Sequence, residues 1–210
     1  MSTPTSASRT STWIGILLGV VFLGLIAAFA IALPKAHGEE SGEAEAIELE
    51  LPATLPGGYI ASDDPRAFEG GQLAEQADAI VEQERAAAEH GNQVLPEVLG
   101  RSAVTRTYVA EGTQAVFVQV FQSEGGAFAP NSLPDPEASG GQAPTEMTSV
   151  GDGACIINYG QGTTGAAPAP AFSQCQVTRG ELTAQVGSGA ISAEELVDVA
   201  DQLLDDLQQD

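Results

Sequence analysis

Two cysteines and a cluster of glycines are the residues of this sequence whose types and spacing could do chemistry. Cys155 lies in the stretch GACIINYGQGTTG, residues 153–165, and Cys175 is the only other cysteine in the chain. Such a segment has four chemical interpretations: a catalytic thiol, part of a metal site, a glycine loop that cradles phosphate, or a structural disulfide. The residues around it decide between them.

This sequence lacks the ligands that a metal site needs and the base that a catalytic thiol needs. A zinc site needs three or four ligands at suitable spacing, and two cysteines and two histidines are the whole supply. His37 falls in the N-terminal region, and His90 ends a predicted helix, where the helix dipole favours a protonated capping histidine. No residue is identified as the base that a catalytic cysteine requires. We therefore expect no metal, no cofactor and no catalytic residue.

The glycines match a dinucleotide-binding pattern only in their spacing. Gly160-x-Gly162-x-x-Gly165 follows a predicted strand, but the pattern needs a helix to begin there, so that its amide groups meet the pyrophosphate. The next residues are AAPAPA, in which Pro168 and Pro170 would break such a helix. The pattern therefore predicts a hairpin loop rather than a nucleotide site.

A disulfide between Cys155 and Cys175 is the interpretation that the surrounding strands favour. If the predicted strands 154–159 and 173–178 are neighbours, the two thiols face each other across them. Outside the cytoplasm such a bond would persist. Closing a loop of about 20 residues contributes roughly 3 kcal/mol in the chain-entropy model.

Acidic residues dominate the charge, with 29 aspartates and glutamates against seven lysines and arginines and a formal net charge of −22. A field of this sign repels phosphate backbones, so nucleic-acid binding is excluded. Paired carboxylates such as Asp63 and Asp64 could serve as acid and base or bind calcium, but no calcium-loop spacing is present. No G-x-S-x-G, H-E-x-x-H or S-x-x-K motif occurs either. We expect a solvated acidic surface and no enzyme.

The N-terminal region predicts a membrane anchor. Residues 13–33, WIGILLGVVFLGLIAAFAIAL, carry no charge and would form about 31 Å of helix, the thickness of a bilayer core. We expect residues 1–12 to form a cytoplasmic tail, 34–51 an acidic linker and 52–210 an extracytoplasmic domain. The small residues of Ala28-x-Ala30-x-Ala32 leave cleavage of a signal peptide open, although the run is longer than a signal-peptide core.

This layout and composition resemble those of single-pass exported proteins of high-GC Gram-positive bacteria, and the resemblance carries over no functional residue. We expect the protein at the cell membrane, held in the bilayer by residues 13–33 with its C-terminal domain outside. The anticipated function is binding or envelope assembly, with an extracytoplasmic protein or a small ligand as partner. A secreted binding protein and a cell-surface enzyme with a carboxylate-based site are the alternatives.

The pattern of the remaining chain predicts an α+β fold with an antiparallel sheet of five or six strands and two main helices. Strands are expected from Tyr59 and at 103–110, 114–123, 154–159, 173–178 and 182–186. Both faces of 114–123 are largely apolar, which is typical of a central strand.

Two helices and one long loop complete the expected fold. The first helix is predicted from about Glu69 or Gln72 to His90, with Gly91 as its stop signal and Pro96 opening a short further turn. The second is predicted from Ser192, whose capping box with Glu195 marks its start, to Leu207. Residues 124–147 are rich in proline and glycine and are expected to form a mobile surface loop.

Overall fold

The computed structural model shows an antiparallel sheet and two α-helices. It describes residues 46–69, 71–126, 128–138, 143–160 and 169–209. The predicted tail 1–12, transmembrane helix 13–33 and most of the linker 34–51 lie outside these ranges. Within them, neither helix is both long enough and apolar enough to cross a membrane.

The sheet has eight strands, so the prediction of five or six strands is wrong. Its order is β1-β2-β3-β4-β8-β7-β6-β5, and every neighbouring pair is antiparallel. The strands are β1 Thr54–Leu55, β2 Tyr59–Ala61, β3 Ala103–Ala110, β4 Gln114–Gln122, β5 Thr145–Val150, β6 Gly153–Tyr159, β7 Pro170–Arg179 and β8 Leu182–Ser188.

The two unpredicted strands form the edges of the sheet, where the sequence signal is weakest. Strand β1 has two residues, too few to show any alternation. Strand β5 begins in the last three residues of the predicted loop 124–147 and carries the polar sequence TEMTSV. No residue of β5 is fully buried, so it lacks the apolar alternation that marks a half-buried strand.

The hairpin of β3 and β4 and the central position of β4 are confirmed. Strand β4 pairs with β3 on one side and with β8 on the other. Its two faces differ, however: Val116, Val118 and Val120 are fully buried, whereas Phe117 and Gln119 are exposed. The apolar residues of β4 are therefore covered on one face only.

The C-terminal helix, α2 Ala193–Leu207, covers that buried face. Its capping box is present as predicted: the Ser192 side chain accepts a hydrogen bond from the Glu195 backbone, and the Glu195 carboxylate accepts one from the Ser192 backbone. The buried side chains of α2 join those of the sheet in one hydrophobic core. Its fully buried leucines are Leu196, Leu203 and Leu204.

The other helix, α1 Ala77–Leu99, packs against β3 from the opposite side of the sheet and runs past its predicted end. Gly91 lies within α1. A side chain at this position would come too close to the sheet, because a Cβ there would lie within 2.6 Å of Thr105 Cγ2. This glycine permits close approach of the helix to the sheet. The stop is Gly100, which adopts the left-handed conformation that ends helices. Pro96 is contained in the last turns of α1.

The packed part of the chain begins before the expected domain boundary at residue 52. The compact unit spans Ala46–Asp210. Ile47 and Leu49 pack against the main core, and Leu51 is buried in it. These alternating apolar residues interrupt the glutamates of the predicted linker, so its last residues belong to the domain.

Candidate functional site

The two cysteines form the predicted disulfide. Cys155 on β6 and Cys175 on β7 are direct partners in the strand register, with Cα atoms 4.1 Å apart. Both are fully buried on the face that α2 covers. The pair is therefore a bond within the core, remote from any surface at which a thiol could react.

The glycines that follow β6 belong to a connection between antiparallel strands. The Gly160 backbone donates a hydrogen bond to the carbonyl of Ala169 at the base of the β6–β7 connection. Gly162 and Gly165 lie outside the residues that the structure describes. A dinucleotide site instead joins parallel strands through a helix, so the rejection of a nucleotide site agrees with the strand pairing.

Asp63 and Asp64 do not act together, because each faces its own arginine. Asp63 accepts hydrogen bonds of 2.8 and 2.9 Å from one guanidinium nitrogen of Arg106. Asp64 pairs with Arg66, and hydrogen bonds from the side chain and backbone of that arginine lower the pKa of Asp64 to about 2. The predicted alternatives of an acid–base pair and a calcium site therefore find no support in this geometry.

The Asp63–Arg106 pair ties the beginning of the domain to the sheet. Arg106 also donates to the carbonyls of Leu51 and Pro52, at 3.0 and 3.3 Å. The buried Tyr108 hydroxyl donates to Pro52 as well, and burial raises the pKa of Tyr108 to about 12. All these groups are occupied by one another, which indicates a structural role for the network.

The remaining predicted candidate, His90, is an exposed residue inside α1 and does not end that helix. The capping role expected for it is wrong, because α1 continues for more than two turns beyond it. Within the described ranges, no group of three or more histidine, cysteine or carboxylate side chains is arranged to hold a metal ion.

The side of the sheet away from α2 has an unusual composition: along β4, β8, β7, β6 and β5 it carries no charged residue. The strand registers place alternate residues of these strands on this side. They are Ala115, Phe117, Gln119, Phe121, Thr183, Gln185, Gly187, Phe172, Gln174, Gln176, Thr178, Ala154, Ile156, Asn158, Thr145, Met147 and Ser149.

One end of this side is covered by the chain that leaves β4. Thr183 Oγ1 donates to the carbonyl of Ser123 at 2.8 Å, and Gln176 Nε2 donates to that of Gly126 at 3.4 Å. Gly125 has φ 101° and lies against Thr178. These loop residues leave the other end of the uncharged side accessible.

That accessible part holds a shallow depression of about 220 Å³ between strands β3, β4, β8 and β7. We call its central residues the amide–aromatic face; Thr105 and Thr107 of β3 border it. The amide–aromatic face consists of Phe117, Gln119, Phe172, Gln174, Gln185 and Gly187.

The two phenylalanines lie on either side of Gly187. Their ring centroids are 6.5 Å apart and the rings are inclined by 47°. A Cβ on Gly187 would come within 2.9 Å of the Phe172 ring, so the glycine makes room for that ring. Phe172 thereby shields the glycine backbone. This packing leaves 36% of Phe172 and 49% of Phe117 exposed.

The glutamines supply hydrogen-bonding groups around the rings. Gln185 Nε2 donates to Gln176 Oε1 at 3.0 Å. Gln119 pairs directly with Gln185 in the register, and Gln174 pairs with Gly187. In the part of the chain that the structure describes, the side-chain amides of Gln119 and Gln174 make no hydrogen bond. Each amide offers both donors and acceptors.

This arrangement is suited to binding and not to reaction. The amide–aromatic face contains no carboxylate, amine, imidazole or thiol, so it has no group to transfer a proton or to attack a substrate. Sequence reasoning missed it, although a signal was present: glutamine and phenylalanine alternate with buried residues in FVQVFQ, FSQCQ and TAQVG. That alternation marks two different faces of each strand.

No protein-family model, no curated protein and no solved structure matches this chain.

Proposed function

We propose that this chain is a membrane-anchored extracytoplasmic binding domain, and that its amide–aromatic face binds an uncharged ligand or envelope component. One observation carries the proposal: this side of the sheet has no charge in a chain with 29 acidic residues. Exposed positions elsewhere carry acidic residues, as the composition of the chain predicts. The outer surface of α2 carries Glu194, Asp198 and Asp205, and that of α1 carries Glu82 and Glu89.

The chemistry of the face supports this assignment. A surface needed only for solubility gains nothing from two adjacent, partly exposed phenylalanines. Contiguous exposed apolar surface rimmed by polar residues marks interaction sites. Charged ligands would find no counter-charge on the face. Anionic ligands would in addition be repelled by the net charge of −22.

Placement outside the cytoplasm rests on residues 13–33 and is supported by the disulfide, since such bonds are rare in cytosolic proteins. The test is the intact mass of the protein from its native host after thiol alkylation without reductant. We expect full-length mass and two unalkylated cysteines. Two alkylated thiols would contradict export, and a mature chain beginning near Leu33 would indicate the secreted form instead of the anchored one.

Binding by the face is tested by site-specific photo-crosslinking in intact cells. A benzophenone amino acid replaces Phe117 in the full chain, and the control places it at Val98, which is 74% exposed on α1. We expect a discrete adduct from position 117 and none of that kind from position 98. Identical adducts from both positions would contradict the proposal.

A charge substitution adds specificity to this experiment. Gln185→Glu places one negative charge at the centre of the face, and we expect it to remove the adduct. Gln83→Glu makes the same change at an exposed position of α1 and is expected to have no effect. An adduct that survives Gln185→Glu would show that another surface is responsible.

A further inference from the structure

We infer that the ligand of the amide–aromatic face is a neutral oligosaccharide. This inference rests on the proposed function and adds the chemical class of the ligand. A sugar ring combines hydroxyl groups, which both donate and accept hydrogen bonds, with an apolar C–H surface. The face offers complementary groups for both parts within one depression, and its lining contains no charged residue.

The hydrogen-bonding groups available on the face belong to side chains. Strands β4, β8 and β7 each have a partner on both sides, so their backbone groups are used within the sheet. A peptide therefore cannot extend the sheet at this point, as it can at a free edge. The amides of Gln119 and Gln174 instead can each donate to one hydroxyl and accept from another.

The apolar part of the ligand is matched by the two rings. Phe117 and Phe172 are half-exposed, and their inclination of 47° presents ring surface on both sides of Gly187. Aromatic rings contribute large contact areas at low conformational cost, because the side chain has only two rotatable angles. A pyranose ring placed against the exposed parts of Phe117 and Phe172 would cover ring surface that water now contacts.

The size of the depression and the net charge of the chain restrict the class of ligand further. The depression of about 220 Å³ is smaller than typical small-molecule sites of about 300–1,000 Å³. It therefore suits about one sugar ring, with the rest of an oligosaccharide lying along the uncharged side of the sheet. Acidic polysaccharides are disfavoured by the net charge of −22.

A second copy of this chain is the less favourable occupant. Two copies would each carry the same net charge of −22 and repel each other. The exposed large apolar residues on this side are Phe117, Met147 and Phe172, whereas a stable protein interface buries about 800 Å² per partner around a tightly packed apolar centre.

The test is saturation-transfer difference NMR on the full chain in lipid nanodiscs. The probes are chitohexaose, cellohexaose and maltohexaose, which are neutral, with a hyaluronan hexasaccharide as the anionic control. We expect signals from the C–H protons of at least one neutral sugar and none from hyaluronan. Binding of hyaluronan equal to that of the neutral sugars would overturn the inference.

Variants connect the signal to the face. Phe117→Ser with Phe172→Ser is expected to weaken sugar binding at least about tenfold, whereas Phe117→Tyr with Phe172→Tyr, which keeps both rings, should retain it. Gln119→Glu and Gln174→Glu are expected to weaken binding without altering the thermal unfolding midpoint. Val98→Ser is the matched control for loss of an exposed apolar group. Sugar binding that survives the serine pair would overturn the inference.

The outcome separates this inference from the proposed function. If no neutral sugar gives a signal while the crosslinked adduct at position 117 persists and depends on Gln185, the ligand is a protein or another uncharged molecule, and only the sugar assignment fails. If neither sugar binding nor a specific adduct is found, the proposed function fails as well.

Discussion

The two sides of the sheet are built from the same strands but carry opposite kinds of side chain. On the side covered by α2, Val118, Val186 and Cys175 occupy neighbouring strands and are almost fully buried. On the other side, Gln119 and Gln185 occupy neighbouring strands and remain accessible. Because successive side chains of a strand point to opposite faces, one short segment contributes both to the core and to the proposed binding face.

This difference means that stability and binding can be changed separately. Burying a leucine or valine stabilises the fold by about 1.5–3 kcal/mol relative to leaving it exposed, whereas surface substitutions usually change stability by less than about 0.5 kcal/mol. Substitutions on the covered side should therefore destabilise the domain. Substitutions on the amide–aromatic face should leave it folded and affect only its ligand.

The largest effect is expected from Leu203→Ala in α2, which empties a site that is 1% exposed. Removing a buried leucine side chain costs about 2–5 kcal/mol, because packing is lost and a cavity remains. The free energy of unfolding in urea measures this loss. Gln119→Ala on the other side of the sheet is the control, with an expected change below about 0.5 kcal/mol; equal losses in the two variants would contradict the division between the sides.

Loss of the disulfide is expected to have the next largest effect. Replacing Cys155 and Cys175 by alanine opens a loop of about 20 residues and should lower the free energy of unfolding by roughly 3 kcal/mol, mainly because the unfolded chain gains freedom. Urea unfolding of the double variant measures this change. Treating the unaltered protein with a thiol reductant should lower the urea midpoint in the same direction, and an unchanged midpoint in both experiments would show that the bond does not stabilise the fold.

A smaller effect is expected where α1 meets the sheet. Gly91→Ala should destabilise the domain by about 1–3 kcal/mol, because the new methyl group overlaps Thr105 Cγ2. Alanine is otherwise the better helix former by about 1 kcal/mol. Thermal or urea unfolding measures the balance of the two.

A double-substitution cycle identifies the cause of that effect. Thr105→Ser removes Cγ2, and in this background Gly91→Ala should be neutral or stabilising. If the alanine is equally harmful with serine at position 105, the close approach of α1 is not the reason for the glycine.

The smallest effect is expected in the pH dependence of stability. It arises from the carboxylate of Asp64, which belongs to neither face of the sheet. The folded pKa of Asp64 is lowered from 3.8 to about 2 by its hydrogen bonds with Arg66. A lowered pKa means that the contribution of Asp64 to stability is present above its unfolded pKa and is lost as the pH falls from about 4 towards 2. Asp64→Asn should therefore lower the urea midpoint slightly at neutral pH.

The two proteins should converge in stability over the acid range, where protonation removes the same interaction from the unaltered protein. Urea midpoints measured at intervals between neutral pH and pH about 2 follow this convergence. A difference between the two midpoints that stays constant over this range would contradict the assignment to Asp64.

Local patterns accounted for a large part of the fold. The β3–β4 hairpin follows from two runs of β-branched and aromatic residues around a short turn, and the start of α2 follows from the capping box at Ser192. The Cys155–Cys175 bond followed from two strands being close in sequence and pairing directly. Each of these features depends on residues near one another in the chain.

Features that depend on distant residues were not predictable. From the sequence, Gly91 was predicted to end the helix. Only the packed structure shows that it lies beside Thr105 and permits close approach of α1 to the sheet. Strand β5 is held by pairing with β6 and has little apolar pattern of its own. The pairing of Asp63 with Arg106 and of Asp64 with Arg66 was likewise not predicted.

The sequence by itself determined that buried and uncharged residues alternate along β4, β7 and β8, because alternation along a strand is a local property. Only the tertiary structure decided that α2 covers the apolar side and that Gln119, Gln174 and Gln185 lie together on the other. Those glutamines belong to three strands, and the strand that follows β4 in the sheet is the last in the chain. The periodicity of a single strand carries no information about its neighbours, so the amide–aromatic face exists only once the sheet has formed.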